Sequence, residues 1–288
     1  NVKNAVCVLG GDVSEFQLTV ENKAREEKDK KISEQEMADF ALKNQADFIN
    51  IEETFLVDGF SVEDPIGIVG KEITARILSV GRNEDLGKVM SEIAVARGMR
   101  YLGSLDARLA LIKLISATSK DYCMIFIFEK NITICIVKGG SISAISNIDS
   151  GYGIMNEKIS SQINISLEEG KSILDNLNNN PNDGASYAIK TIVAHSALEI
   201  KEKIHSELAI TDKDSLLPGV VLIAASSWSL ELKKVLSDTG WLSGLPIERN
   251  ITINTEIKIP EDIIIEQEIT GGESRCLFEY AALHYLNK

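Results

Sequence analysis

The first 80 residues combine two kinds of hydrophobic pattern. Apolar runs and an alternating stretch predict strands at residues 2–9, 16–20, 48–57 and 72–80. Between the second and third strands, Met37 and Phe40 follow the spacing of a helix face, and Ser33 and Glu36 form a capping box at its start. The dense charge run at 21–31 predicts a solvated loop or hairpin tip. The order strand, strand, helix, strand, strand predicts a small α+β unit.

Beyond residue 80, helical and strand-like patterns alternate, which favours an α/β architecture. Helices are predicted at residues 85–97, 106–117, 167–174, 185–208, 230–236 and 275–286. Strands are predicted at 99–103, in a hairpin and its following strands over 120–148, at 220–224 and at 247–253. The polar run DNLNNNPNDG at 175–184 predicts a loop, because Asn, Asp, Pro and Gly favour turns.

Composition narrows the classes of function. The chain has 288 residues, 44% of them hydrophobic, which suits about two globular domains. Its net charge of −13 argues against a general nucleic-acid binder, because the phosphate backbone would be repelled. No stretch approaches the ~18 apolar residues of a membrane span, and no signal peptide is present, so we expect a cytoplasmic protein.

The four cysteines predict neither a zinc site nor a disulfide framework. They lie far apart in apolar surroundings, without any C-x-x-C pair, and are Cys7, Cys123, Cys135 and Cys276. Buried free thiols are the expectation, and no metal site is predicted.

The stretch FLVDGFSVEDPIGIVGKEITARILSV at 55–80 contains a Val-Asp-Gly turn, then an Asp-Pro-Ile-Gly loop and a long strand. It resembles a turn and loop in the inserted α+β subdomain of the FtsA family of actin-like bacterial cell-division proteins. The matching residues are Val57, Asp58, Gly59, Asp64, Pro65, Ile66, Gly67 and Gly70. That subdomain takes part in filament contacts in the family. The resemblance therefore implies an interaction loop, with Asp58, Gly59, Asp64, Pro65, Gly67 and Gly70 as candidates.

The second segment runs from residue 136 to 174 and resembles the family's strand–turn–strand followed by a turn and helix. The residues in step are Lys138, Gly140, Ser141, Ile148, Gly151, Ile159, Leu167, Glu168 and Glu169. Weaker matches lie at 218–236, similar to the adenosine turn, and at 274–286, similar to the closing helix.

The resemblance implies an α/β, actin-like (ribonuclease H-like) fold with an inserted small α+β subdomain. Residues 1–80 would be the inserted subdomain, 81–119 the remainder of the first actin-like subdomain, and 120–288 the second half with its closing helix. The family's opening strands and first phosphate loop have no counterpart, so the chain resembles a divergent, amino-terminally short member.

An actin-type nucleotide site needs glycine-rich phosphate hairpins, carboxylates for Mg²⁺ and a glycine-rich turn beside the nucleoside. In register with the family, Phe126 takes the place of the metal-side Asp, and Thr133 replaces a second Asp. Three glycines of the family are replaced by Phe128, Glu129 and Lys130, and two threonines by Asn131 and Ile132. In the adenosine turn, Ala224, Ala225 and Ser226 stand in place of glycines. We therefore predict no catalytic residue, no ATP or Mg²⁺ cofactor and a pseudo-ATPase.

The sequence thus favours a non-catalytic, FtsA-like cell-division scaffold that acts through protein–protein contacts. By resemblance, its partners would be FtsZ, other division proteins and copies of itself, at the inner face of the cell membrane. Because the family's amphipathic anchor helix has no counterpart here, we expect no direct membrane insertion by this chain. Two alternatives stay open: an ATP-binding actin-like ATPase of cell division, and an actin-like platform protein of pilus assembly.

Overall fold

The computed structural model describes residues 3–41, 48–81, 84–116, 119–179, 187–211, 216–225, 229–247 and 251–255. The chain divides into two compact units. Unit 1 comprises Asn1–Asn4 and Ser14–Tyr101, and unit 2 comprises Ala5–Val13 and Leu102–Lys288. The predicted segments 1–80, 81–119 and 120–288 follow from the resemblance and stay a prediction. In a separate two-stranded sheet, the first strand pairs with a strand from the middle of the chain.

After residue 80, strands and helices follow one another singly or in runs of three. The strands are β1 (Lys3–Leu9), β2 (Phe16–Ala24), β3 (Phe48–Val57), β4 (Phe60–Val62), β5 (Glu72–Gly81), β6 (Met99–Asp106), β7 (Tyr122–Ile127), β8 (Ile132–Lys138), β9 (Ser141–Ile148), β10 (Val220–Ala225) and β11 (Thr252–Asn254). The helices are α1 (Glu34–Ala41), α2 (Glu84–Ala96), α3 (Ala107–Ser116), α4 (Gly153–Ile163), α5 (Leu167–Asn179), α6 (Tyr187–Thr211) and α7 (Leu230–Ser237). The predicted closing helix at 275–286 lies outside the described residues.

Unit 1 is built on a four-stranded antiparallel sheet in the order β2–β5–β3–β4. A small core forms on one face, where Ile32, Val57, Ile73 and Ala75 are buried and Met37 of α1 packs against them. The capping box forms as predicted, since the Ser33 amide donates to the Glu36 carboxylate and the Glu36 amide to the Ser33 hydroxyl.

Strand β2 is longer than the sequence pattern predicted. The charge run expected to form a loop begins with strand, because β2 pairs with β5 as far as Ala24 opposite Glu72. Along this edge strand, Glu21 and Lys23 are half-buried and alternate with exposed Val20, Asn22 and Ala24, as the period of two of a strand requires.

Unit 2 is built on a five-stranded sheet in the order β11–β10–β7–β8–β9. The three strands β7, β8 and β9 form an antiparallel meander, whereas β10 runs parallel to β7 and β11 parallel to β10. One face packs its isoleucines, such as Ile125 and Ile134, against the helices α4 to α7. The opposite face contacts α3, where the Tyr122 hydroxyl donates to the Ile112 carbonyl at 2.9 Å.

Helix α5 runs to Asn179, through the first half of the polar segment predicted to be a loop. The prediction was wrong for residues 175–179, because Leu174 and Leu177 lie one turn apart on the face that packs against the unit 2 core. Tertiary burial of these leucines outweighs the low helix propensity of the Asp and Asn residues around them.

Candidate functional site

The β7–β8 hairpin, which the sequence singled out as a degenerate phosphate hairpin, ends in a tight turn over Phe128–Asn131. The Phe128 amide donates to the Asn131 carbonyl at 2.9 Å and closes the turn. Phe126 pairs with Thr133 across the hairpin and lies beside Ala224 of β10. The structure therefore brings Phe126, Thr133 and Ala224, three predicted positions, side by side in one buried sheet.

Aromatic carbon fills the space beneath the hairpin tip. Phe126 and Phe128 are both buried, and their nearly parallel rings lie 6.4 Å apart between centroids. On the other side, the Phe128 ring lies against Gly10 and Gly11, and a Cβ atom at Gly11 would collide with the ring. The absence of side chains in this Gly–Gly turn thus lets the ring occupy the space.

The backbone donors of the tip are engaged by a carboxylate that the sequence analysis did not single out. Asp12 Oδ2 accepts from the Glu129 amide at 3.1 Å, and Asp12 Oδ1 accepts from the Lys130 amide at 2.7 Å. The Asn131 side-chain amide donates to the Gly11 carbonyl at 2.6 Å, which ties the same two segments together again. In a phosphate hairpin, such backbone N–H groups are what the phosphate oxygens contact.

The carbonyl groups of the tip are held from the opposite direction. The Tyr152 amide donates to the Phe128 carbonyl at 3.0 Å, and the Gly153 amide donates to the Glu129 carbonyl at 2.9 Å. A Cβ atom at Gly151 would collide with the Phe128 carbonyl oxygen. Glycine at 151 is therefore required for this approach, and the tip is fixed by its neighbours on both sides.

A buried ion pair lies next to this hairpin. Asp106 caps α3, since its Oδ1 accepts from the Arg108 amide at 2.8 Å. The same carboxylate binds the Arg108 guanidinium through both oxygens, at 3.0 Å to Nε and 2.6 Å to Nη2. Arg108 Nη1 donates to the Thr133 hydroxyl at 3.1 Å, and the guanidinium carbon lies 5.9 Å from the centroid of the Phe128 ring.

These surroundings do not fit Mg²⁺–ATP in the actin manner. Thr133 stands where the resemblance places a carboxylate, and it contacts a cationic side chain that would repel a metal ion. Phe126 offers no oxygen ligand, and among the described residues no group of three or more His, Cys, Asp or Glu side chains could hold a metal. The donors Glu129 N and Lys130 N already have an anionic partner.

Two cysteines lie within the same sheet and are free thiols. Burial raises the pKa of Cys123 to about 12, and burial also raises the pKa of Cys135, although Arg108 acts in the opposite direction. Both side chains are therefore protonated and unreactive at neutral pH, as packed core residues are.

The predicted adenosine turn differs from the structure in part. Ala224 and Ala225 are the last two residues of strand β10 and are buried, not exposed in a turn. They pair with Phe126 and Ile127, and this central position in the sheet extends the strand past the predicted end. Ser226, the third predicted position, lies outside the described residues.

The predicted interaction loop of unit 1 begins with the turn between β3 and β4. Asp58 and Gly59 both have positive φ angles, 52° and 83°, which is the type I′ geometry of a two-residue hairpin. Asp58 Oδ1 also accepts from the amides of Lys71 and Glu72, at 2.7 and 2.9 Å. These residues therefore fix the shape of the loop ends.

The remaining predicted loop residues are also held by local bonds. Asp64 Oδ1 accepts from the Ile66 amide at 2.9 Å, and Pro65 is buried. Gly67 has a φ angle of 84°, and its amide donates to the Ile32 carbonyl at 2.9 Å. Gly70 lies so close to Val57 that a Cβ atom would collide with that side chain. The loop is thus rigid, because turn chemistry and close packing set its backbone.

Arg25 is a central residue of unit 1 that sequence reasoning missed. Its buried guanidinium donates to the carbonyls of Lys30 and Gly70 at 2.9 and 2.7 Å, and to both oxygens of Glu36. The hydrogen bond from Arg25, followed by the bond from the Ser33 amide, lowers the pKa of Glu36 to about 2. No local pattern signals this role, because Arg25 falls within a charge run that reads as solvated.

Large apolar side chains are exposed on this rigid loop. Phe60 is 76% exposed, Val69 is 52% exposed and Ile66 is 43% exposed. Exposed apolar side chains on a backbone that is already held by local bonds cost less ordering free energy on binding than the same side chains on an unheld loop.

The fold defines the class of protein to which the chain is similar: it has an actin-like, mixed α/β fold. A solved structure of a PilM–PilN type IV pilus biogenesis complex aligns with a TM-score of 0.56 and 12% identity, over 88% of this chain and 72% of that one. At this identity the likeness shows the fold alone. The fold class predicted from the sequence is thereby confirmed.

Two further solved structures align at lower TM-scores, from which we draw no argument. The ethanolamine utilization protein EutJ from Carboxydothermus hydrogenoformans gives a TM-score of 0.40 and 13% identity, over 57% of this chain and 54% of that one. An archaeal actin homologue gives 0.40 and 11% identity, over 66% of this chain and 58% of that one. No family model matches the sequence, and no curated protein matches it.

Proposed function

We propose that this chain is a non-catalytic scaffold with an actin-like fold, which works by binding other proteins. The observation that carries the proposal is the state of the hairpin tip. Its amide donors are engaged by Asp12, and the space beneath them is filled by the rings of Phe126 and Phe128. The chain keeps this sheet, but its phosphate position is filled by its own side chains. We therefore infer that the fold is retained for the protein-binding surfaces that it provides.

The function that fits best is that of a platform protein in pilus assembly, which is one of the two alternatives that the sequence left open. Supporting this, the chain shares its fold over 88% of its length with a PilM–PilN complex. The corresponding partner would be a PilN-like protein, and the site of action the inner face of the cell membrane. No helix among the described residues is long and apolar enough to cross a bilayer.

Cell division is the second candidate, and a specific observation favours it. Residues 57–70, within the segment 55–80 that resembles FtsA, form a loop that is held by local hydrogen bonds and exposes Phe60, Ile66 and Val69. On this proposal the loop contacts FtsZ, another division protein or a second copy of the chain. The division and pilus proposals share the scaffold function and differ only in the partner.

Calorimetric titration with Mg²⁺–ATP tests the absence of a nucleotide site. We expect no saturable heat up to about 1 mM nucleotide, a concentration at which sites with micromolar affinity would be filled. Binding with a micromolar dissociation constant would contradict the pseudo-ATPase proposal and favour an active ATPase.

Partner choice is tested by immobilising the chain and titrating two ligands, a PilN-like protein encoded in the same genome and an FtsZ carboxy-terminal peptide. Saturable binding of the first alone supports the pilus proposal, and binding of the second alone supports division. The variant F60A removes an apolar side chain of the loop that is more than half exposed. The matched control V89A removes a half-exposed apolar side chain of helix α2, which also belongs to unit 1. If the loop is the contact, only F60A weakens binding by about tenfold. Sedimentation measures self-association in parallel.

A further inference from the structure

We propose that Asp12 is a built-in anionic ligand of the hairpin tip, placed where a phosphate-class oxyanion would otherwise bind. On this view the tip still has the shape of an anion site, and the chain itself fills that site. The inference rests on the proposed function, because it explains how the phosphate position is closed in a scaffold.

The contact has the geometry of anion capture. The two oxygens of one carboxylate accept from the adjacent amides of Glu129 and Lys130, at 3.1 and 2.7 Å. Adjacent backbone N–H groups directed at one acid group form a concave anion-binding arrangement, and phosphate oxygens would meet the same two donors. Bonds with a charged acceptor are also stronger than neutral ones.

The segment that carries Asp12 is held in place for this contact. The Val13 amide donates to the Gly10 carbonyl at 3.1 Å and closes a turn with Asp12 in it. The Asn131 side chain binds the Gly11 carbonyl at 2.6 Å, and the Gly–Gly backbone lies against the Phe128 ring. The carboxylate is therefore presented by a fixed turn, although 117 residues separate Asp12 from Glu129.

An internal ligand outcompetes a free one because of its effective concentration. A tethered group acts as though present at millimolar concentration or above, and a fixed turn raises this value further. Free phosphate must also approach the neighbouring Glu129 carboxylate, whose negative charge repels it. The consequence is that the tip is closed to oxyanions only while the Asp12 carboxylate is present.

The test is a titration of the ¹⁵N-labelled full chain with inorganic phosphate, in which NMR follows the amide resonances of Glu129 and Lys130. The variants are Asp12→Ala, which removes the internal ligand, and Asp121→Ala. The latter is a matched control, because Asp121 Oδ1 accepts one backbone amide, that of Gly139, at 2.7 Å at the other end of the hairpin. Resonances of β8 and β9 report whether the sheet is intact.

In Asp12→Ala we expect saturable shifts of both amides, with half-saturation at about 1–10 mM phosphate, and at least tenfold weaker responses in the wild type and in Asp121→Ala. If Asp12→Ala does not fold, Asp12→Asn keeps one acceptor without the charge and is expected to respond more than the wild type. Unshifted amides in a folded Asp12 variant, or an equal response in the wild type, would overturn the inference. Neither result affects the Mg²⁺–ATP titration of the wild type, so the two proposals fail separately.

Discussion

The buried pair of Asp106 and Arg108 makes the most demanding prediction about stability. Arg108→Met removes the guanidinium that binds both oxygens of the buried Asp106 carboxylate. Asp106→Asn removes the negative charge and leaves the guanidinium buried, while Asn still caps helix α3. The double variant removes both charges and keeps a side chain of similar length in the cavity.

The magnitude follows from the geometry of the pair. The Arg108 Nη2 and Asp106 Oδ2 atoms lie 2.6 Å apart. Two unit charges whose centres are about 4 Å apart interact by about 4 kcal/mol at an effective dielectric constant of 20. Both side chains are almost completely shielded from solvent, at 2% and 0% exposure, so water cannot replace the lost partner. Breaking such a pair on one side costs about 3–5 kcal/mol, whereas replacing both partners costs little. We expect about 3–4 kcal/mol for each single variant and about 1 kcal/mol for the double variant.

Urea unfolding followed by tryptophan fluorescence measures these stability losses in unit 2, which contains the ion pair. Both tryptophans of the chain, Trp228 and Trp241, belong to unit 2, as does the ion pair. With a denaturant dependence of about 2 kcal/mol per molar urea, each single variant lowers the midpoint by about 2 M. Lys158→Met is the control, because Lys158 and Glu199 form an ion pair in the same unit that is about one-third exposed. That variant should cost about 1 kcal/mol or less.

The decisive quantity is the coupling between the two substitutions. If the double variant loses the sum of the two single losses, the residues contribute independently, and the account of a compensated buried charge is wrong. A loss in Lys158→Met as large as in Arg108→Met would equally refute the role given to burial.

Three further predictions concern packing, acid stability and thiol reactivity. Gly170→Ala should destabilise unit 2 by about 2 kcal/mol, because a Cβ atom at this position would collide with a hydroxyl of α4. Gly87→Ala is the control: its surroundings are open, so alanine should stabilise the helix by up to about 1 kcal/mol. Thermal unfolding of both variants measures the two effects. Glu36→Gln should cost about 1–2 kcal/mol at pH 7, discounted for partial exposure. Because the pKa of Glu36 is lowered from 4.5 to about 2, the stability that its carboxylate contributes is complete above about pH 5 and is lost as the pH falls towards 2. Amide exchange in unit 1 should therefore show that the wild type and Glu36→Gln become equally stable near pH 2. Iodoacetamide at pH 8 should leave Cys123 unmodified in the folded chain, because its pKa is raised to about 12; modification faster than unfolding would contradict this.

Signals that act over three or four residues predicted much of the local structure. The capping box of α1 forms as the spacing of Ser33 and Glu36 indicated. The same Ser–Glu spacing recurs at the start of α5, where the Ser166 hydroxyl donates to the Glu169 carboxylate at 2.8 Å. The apolar runs on both sides of residues 128–131 form the central hairpin. These features depend on hydrogen bonds and side-chain periods within one segment, and that information is complete in a short stretch of sequence.

The contacts that define the site depend instead on the packing of distant segments. Asp12 meets the hairpin tip across 117 residues, and Arg108 meets Thr133 across 25. In the sequence, Asp12 is one acidic residue after a Gly–Gly turn, and nothing local states which donors it will find. The substitutions at Phe126 and Phe128 predicted that a phosphate hairpin had changed. Only the assembled sheet, with its rings, its buried pair and its bound carboxylate, specifies what occupies that place, because burial and long-range hydrogen bonding exist only after the chain has folded.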